Sequence, residues 1–134
     1  MSNYKYNDGG QLAHRSLRSG YCGTRALVIA TGMGWMEAET HLRQFTRQGN
    51  AGNGKLSIGI FKDDYDAALG ALGFKWKSAP KFDGRKAKAS DLTGTVIARQ
   101  AKHFTCVIDG VVNDIWDCSH KMVYGYWEKE TAND

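Results

Sequence analysis

Proline is almost absent: Pro80 is the only one in 134 residues. No linker, internal repeat or low-complexity segment breaks the chain, and its length predicts a single domain. Cysteine is sparse as well. Cys22, Cys106 and Cys118 are an odd number with no CxxC spacing, which argues against a disulfide framework and leaves at least one thiol to be explained otherwise. No apolar run approaches the roughly 20 residues that cross a bilayer. The polar stretch from Met1 to Gly10 holds no signal-peptide hydrophobic segment, so a cytoplasmic protein without a membrane partner is expected.

Excess charge of one sign is also missing. A net charge of +4 does not by itself mark a nucleic-acid surface. The densest basic stretch (Lys75, Lys77, Lys81, Arg85, Lys86 and Lys88) is broken by Asp83 and reads as a solvated loop; its rival reading is a patch that docks an acidic partner. The aromatic run Tyr124-Gly125-Tyr126-Trp127 alternates and reads as a terminal strand over the core rather than as a base-stacking platform. No nucleic-acid partner is expected.

What is present suffices for a real core: 42% of the residues are apolar and 24% charged, as in ordinary globular domains. Residues 1–15 show little periodicity and read as an extended arm ahead of one domain over 16–134. Ser19 or Gly20 can cap a first helix, strongly apolar from Ala26 to Ala30 and ended by Gly32 and Gly34. Trp35, Ala38, Leu42 and Phe45 recur at helical spacing and predict a second helix over 36–48. Asn50 to Gly54 lacks the lysine and hydroxyl ending of a phosphate-binding loop and reads as a turn. A third helix is expected over 62–72, with Asp63 and Asp64 at its N-terminus.

Past Gly73 the period shifts towards two, with strands expected over 74–77, 95–99, 103–108, 111–116 and 123–127. Helices first and antiparallel strands later argue for an α+β fold, not a doubly wound sheet.

Asp109-Gly110 between two apolar runs is the strongest hairpin signal in the chain. A two-residue turn sets Ile108 opposite Val111, Thr105 opposite Asp114 and His103 opposite Trp116. Asp117 then lies one residue beyond Trp116, at the same open end as His103. Parity sets Asp117 on the wrong face unless a bulge or the strand end reorients it. Asp114 is its rival and Asn113 a weaker one.

Cys22 opens the first helix, where the helix N-terminus favours the thiolate. A thiolate, an imidazole and an orienting carboxylate together make an activated nucleophile. Tyr21-Cys22-Gly23-Thr24-Arg25-Ala26-Leu27, then His103-Phe104-Thr105-Cys106-Val107-Ile108, then Ile115-Trp116-Asp117, in that order, resembles the papain-like cysteine-peptidase superfamily. It is most similar to the compact branch of bacteriocin-processing peptidases and small phage-encoded papain-like proteins, over the span from about Ser19 to Trp127.

The resemblance implies a papain-like fold, with N-terminal helices packed on a C-terminal antiparallel sheet. It implies Cys22 as nucleophile, His103 as general base and acid, and Asp117 as the residue that orients His103. The backbone N–H of Cys22 would be half of an oxyanion hole. Six positions before Cys22, where related peptidases carry a glutamine, stands Ser16, the candidate for the second donor; Gln11, Arg18 and Ser19 are also near in sequence.

The implied activity is hydrolysis of a peptide or isopeptide bond without metal or organic cofactor. The partner is then a peptide or protein substrate in the cytoplasm, or in the host's cytoplasm for a phage-encoded protein. The alternative is a weak or inactive papain-like protein that binds and modulates a host protein. A zinc site among His103, Cys106, Cys118 and His120 is disfavoured, because His103 and Cys106 point to opposite faces of one strand. Cys106 then packs in its strand, and Cys118 is a bystander beside Asp117.

Overall fold

The computed structural model describes residues 3–46 and 56–130. Three helices, α1 (Cys22–Thr31), α2 (Trp35–Arg43) and α3 (Lys62–Gly70), pack on six strands: β1 (Tyr4–Tyr6), β2 (Phe74–Ser78), β3 (Thr95–Gln100), β4 (His103–Ile108), β5 (Val111–Asp114) and β6 (Gly125–Lys129). The sheet runs in the order β1-β5-β4-β3-β6-β2. The architecture is α+β, as expected. Among the described residues no helix is long and apolar enough to cross a membrane.

Local sequence accounts for most of these elements. Gly32 takes the left-handed conformation (φ 77°) that ends α1, and its N–H returns to Val28 O. Ala26, Leu27 and Val28 bury that helix against the sheet. Asp109 (φ 49°) and Gly110 (φ 83°) both have positive φ, the twisted two-residue turn that suits a hairpin. The register follows as expected, with Ile108 opposite Val111 and Cys106 opposite Asn113.

Both sheet faces are covered, so β4 is buried along almost its whole length. On the helix side Ile97, Phe104, Cys106 and Trp127 meet Leu27, Leu42, Tyr65 and Leu69. On the other side Val96, Ala98, Val107 and Val112 meet Ala89, Leu92, Cys118 and Val123 from the connecting segments.

Several expectations are corrected. Residues 3–15 of the expected arm over 1–15 belong to the fold: β1 pairs with β5, Tyr4 opposite Val112 and Tyr6 opposite Asp114, and Gln11 is fully buried. That pairing is parallel, so the sheet is mixed rather than wholly antiparallel. Helix α2 stops at Arg43 in a tightened turn, with Phe45 N–H bonded to Leu42 O; the end expected at Gln48 and the Asn50–Gly54 turn lie outside the described residues. Strand β5 ends at Asp114, not at Trp116; its pairing with β4 stops at Asn113 and its pairing with β1 at Asp114.

Strand β6 starts two residues later than expected. It lies between β3 and β2, with Trp127 fully buried and its indole N–H on Asp66 Oδ1 at 2.8 Å. In the basic stretch, Lys75, Lys77 and Arg85 pair with Glu130, Glu128 and Asp91.

Gly125 permits β6's inner position. A methyl group there would overlap the Trp76 ring and stand 2.8 Å from Lys77 O. Gly125→Ala is expected to lose about 1–3 kcal/mol, as overpacked cores do. Urea unfolding checks this, and an unchanged midpoint would contradict the tight Trp76 packing.

Candidate active site

The open end of the β4–β5 hairpin meets the N-terminus of α1, and there the chemistry collects. Gly23 brings α1 close. A Cβ at that position would lie 3.1 Å from the Tyr65 ring and from Ile60 Cγ2, and the Tyr65 hydroxyl donates to Gly23 O at 2.7 Å. Cys22, half-buried, is the first residue of the helix, so its own N–H has no partner within the helix. No acidic residue stands in that first turn to oppose an anion.

His103 opens β4 and is 7% exposed. Its Nε2 lies 2.7 Å from Asp114 Oδ2. A carboxylate can only accept, so Nε2 carries the proton and donates, which leaves Nδ1 as the ring nitrogen available to Cys22. Trp116 covers the imidazole, its ring centroid 5.2 Å away.

Asp114 is the carboxylate on His103, and Asp117 is not. Asp117 is exposed and spends its Oδ1 on the Ser119 N–H and hydroxyl, a local turn beyond the end of β5. The strand stops before any bulge can turn Asp117 inward, whereas Asp114 is still the last residue of β5 and meets the Thr105 hydroxyl. Asn113, on the other parity, donates to Val111 O.

Asp114 is only 1% exposed, yet every lone pair has a partner. Oδ2 also accepts from Thr105 Oγ1 at 2.6 Å and faces Cys118 Sγ at 3.7 Å. Oδ1 accepts from Arg25 Nε at 2.9 Å and from Ile115 N–H at 2.7 Å. Arg25, itself buried in α1, donates through Nη1 to Gln11 Oε1 at 2.7 Å, and Gln11 Nε2 donates to Ser16 O at 2.9 Å.

Arg25 and Thr105 join the site beyond the residues expected from the sequence, and Gln11, near in sequence to the expected oxyanion donor, serves Arg25 instead. Arg25 had one signal in the sequence: it stands one helical turn after Cys22, on a helix otherwise apolar. Cys118, expected to be a bystander, is fully buried beside Asp114 and His103.

The charges are shifted accordingly. Burial opposes the charge on His103, but its bonds to Asp114, Cys118 and Cys22 outweigh this and push its pKa up to about 11. Burial likewise raises the Cys22 thiol, but the His103 bond and charge, the Phe104 N–H and Arg25 bring it below its ordinary value. Asp114 is lowered: burial works against its charge, and His103 and Arg25 override it. The favoured state is therefore a thiolate beside an imidazolium.

Comparison of the chain with protein-family models, curated proteins and solved structures finds no match. The site stands on its own geometry.

Ser16, the candidate second oxyanion donor, is exposed, and its Oγ accepts from Arg18 N–H at 3.1 Å. Gln11 is committed to Arg25 and Ser16. The ligand atoms of His103, Asp114 and Cys118 lie within 4.8 Å of one another. They make a poor cation site, because Asp114 already carries the buried Arg25 charge and a 2.7 Å bond to His103. Cys106 lies on the helix face with Phe104, away from this cluster, as the strand parity required.

Proposed function

We propose that this protein is a thiol hydrolase of the papain-like type, with a papain-like fold, cleaving a peptide or isopeptide bond through Cys22, His103 and Asp114. The observation that carries this reading is the imidazole between a helix-terminal cysteine and a fully hydrogen-bonded buried carboxylate. The Cys22 thiolate attacks the carbonyl carbon, and its own backbone N–H stabilises the oxygen as that oxygen gains charge. The His103 imidazolium gives its Nδ1 proton to the leaving nitrogen, the C–N bond breaks, and a thioester remains. His103 then takes a proton from water, the resulting hydroxide adds to the thioester, and the carboxylic acid leaves as Cys22 returns to thiolate. Asp114 keeps the second ring proton on Nε2 throughout.

Ser16 and Gln11 are both bonded elsewhere and do not complete an oxyanion hole with the Cys22 N–H, which favours one alternative: a scaffold of this type that binds a host protein without turnover. Alkylation of Cys22 against pH, read by peptide mass spectrometry, separates the two. With the thiol pKa lowered, the wild type should react below the pH at which an ordinary thiol ionises. In His103→Ala only burial and weaker influences remain, so the profile should move up to or above the ordinary thiol range. A wild-type profile centred at the ordinary thiol value would overturn the hydrolase reading.

A further inference from the structure

The cavity beside the nucleophile holds about 220 Å³. Cys22, Phe61 and Phe104 form part of its wall, and three cations, Lys62, Arg99 and Lys102, complete it. Phe61, Lys62 and Arg99 continue into an outer groove, where Asp63 is the one carboxylate on either lining. Arg15, Arg25, Arg43, Lys75, Lys77 and Arg85 stand in ion pairs elsewhere. The cavity lining among the described residues thus carries three cations and no carboxylate, Asp63 standing only on the outer groove.

Two of the three stand where local energetics disfavour them. Lys62 is the first residue of α3, at the positive end of the helix. Lys102 has φ 53° in the β3–β4 turn, a left-handed conformation that glycine or asparagine adopts at lower cost. Residues that break a local rule gather at functional sites. Two of them are also held in place. Arg99 lies over the Phe104 ring at 4.8 Å, and the Lys62 ammonium lies over the Trp76 ring at 4.1 Å. Anchoring of this kind lowers the entropy lost when an anion arrives.

We propose that the cavity is an acidic-side-chain subsite: the substrate is an acidic peptide, and an aspartate or glutamate beside the scissile bond is held by Lys62, Arg99 and Lys102. This rests on the thiol-hydrolase reading for the cleavage step, but the anion preference is a property of the cavity and can be measured without turnover.

The test compares alkylation of Cys22 by iodoacetate, an anion, and by iodoacetamide, its neutral analogue. The quantity read is the ratio of the two rates, in wild type and in Lys62→Gln/Arg99→Gln/Lys102→Gln. Because both proteins keep His103, its own attraction for the anion cancels. The ratio should fall by about tenfold in the triple variant, equivalent to about 1.4 kcal/mol, and the wild-type ratio should fall as salt is raised. Measured at about pH 9, where an unactivated thiol also ionises, the ratio remains readable if the hydrolase reading fails at low pH. Peptide pools of equal length form the second arm, with the acidic pool cleaved faster than the neutral and basic ones. A ratio unchanged in the triple variant, or a neutral pool cleaved as fast as the acidic one, would overturn the proposal. Circular dichroism of the triple variant confirms that it is folded before the ratio is read.

Discussion

Asp114→Asn should abolish the activated thiolate, and Asp117→Asn should leave it intact. In the wild type the Asp114 carboxylate accepts at both oxygens, from Arg25 and Ile115 N–H on one and from His103 and Thr105 on the other. An amide has one accepting oxygen. Arg25 and Ile115 only donate, so they claim it, and the amide NH2 turns to His103. Nε2 must then accept, which moves the ring proton to Nδ1, on the side of Cys22. A neutral imidazole of that tautomer cannot act as base towards the thiol, and in an analogous triad the loss is about 10⁴ in kcat. The pH profile of Cys22 alkylation should move up towards the ordinary thiol range. Asp117 is exposed and bonds only its own turn, so its amide should keep the rate within about twofold. Equal losses in the two variants would remove Asp114 from the site.

Arg25→Met should cost the most stability of any single change considered. Arg25 is 3% exposed and Asp114 1%. Removing the guanidinium leaves a buried carboxylate with less countercharge and strands Gln11 Oε1, and breaking such a pair costs about 3–5 kcal/mol. For a domain of this size that is on the order of 10–20 °C in Tm. The pH dependence has a definite sign. Asp114 is depressed in the folded state, so its contribution is present above the ordinary carboxylate pKa and is lost as pH falls through the lower folded value. The gap between wild type and Arg25→Met should therefore narrow in acid. Glu39 offers a contrast, since Arg15, Arg43 and the Trp35 indole all reach it. Removing Arg15 leaves two partners in place, and the loss should be smaller. Thermal melts of both variants at neutral and acid pH decide the matter, and equal losses would mean that the Arg25–Asp114 pair has no special weight.

The lone buried arginine of an otherwise apolar helix shows how far the chain could be read in advance. Its position one turn after Cys22 was visible, but its partner Asp114 is 89 residues away. No periodicity reports on such a contact. Strand β1 escaped notice for a related reason: three residues with only one partly buried side chain carry no alternation, and their pairing with β5 depends on where the rest of the sheet ends.

By itself the sequence determined what neighbouring residues decide among themselves. The glycine stop of α1, the β4–β5 register and the place of His103 at a strand end follow from caps, turns and side-chain parity, which act over a few residues, whereas the start of α1 follows Tyr21 with no side-chain cap, not Ser19 or Gly20. Tertiary structure alone decided that β6 enters the sheet between β3 and β2, that Gln11 and Arg25 meet under Asp114, and that Asp114 rather than Asp117 holds the imidazole. The last choice is physical. A residue still within strand β5 keeps its face of the sheet and is desolvated against fixed donors, whereas one past the strand end satisfies its carboxylate locally and remains in water.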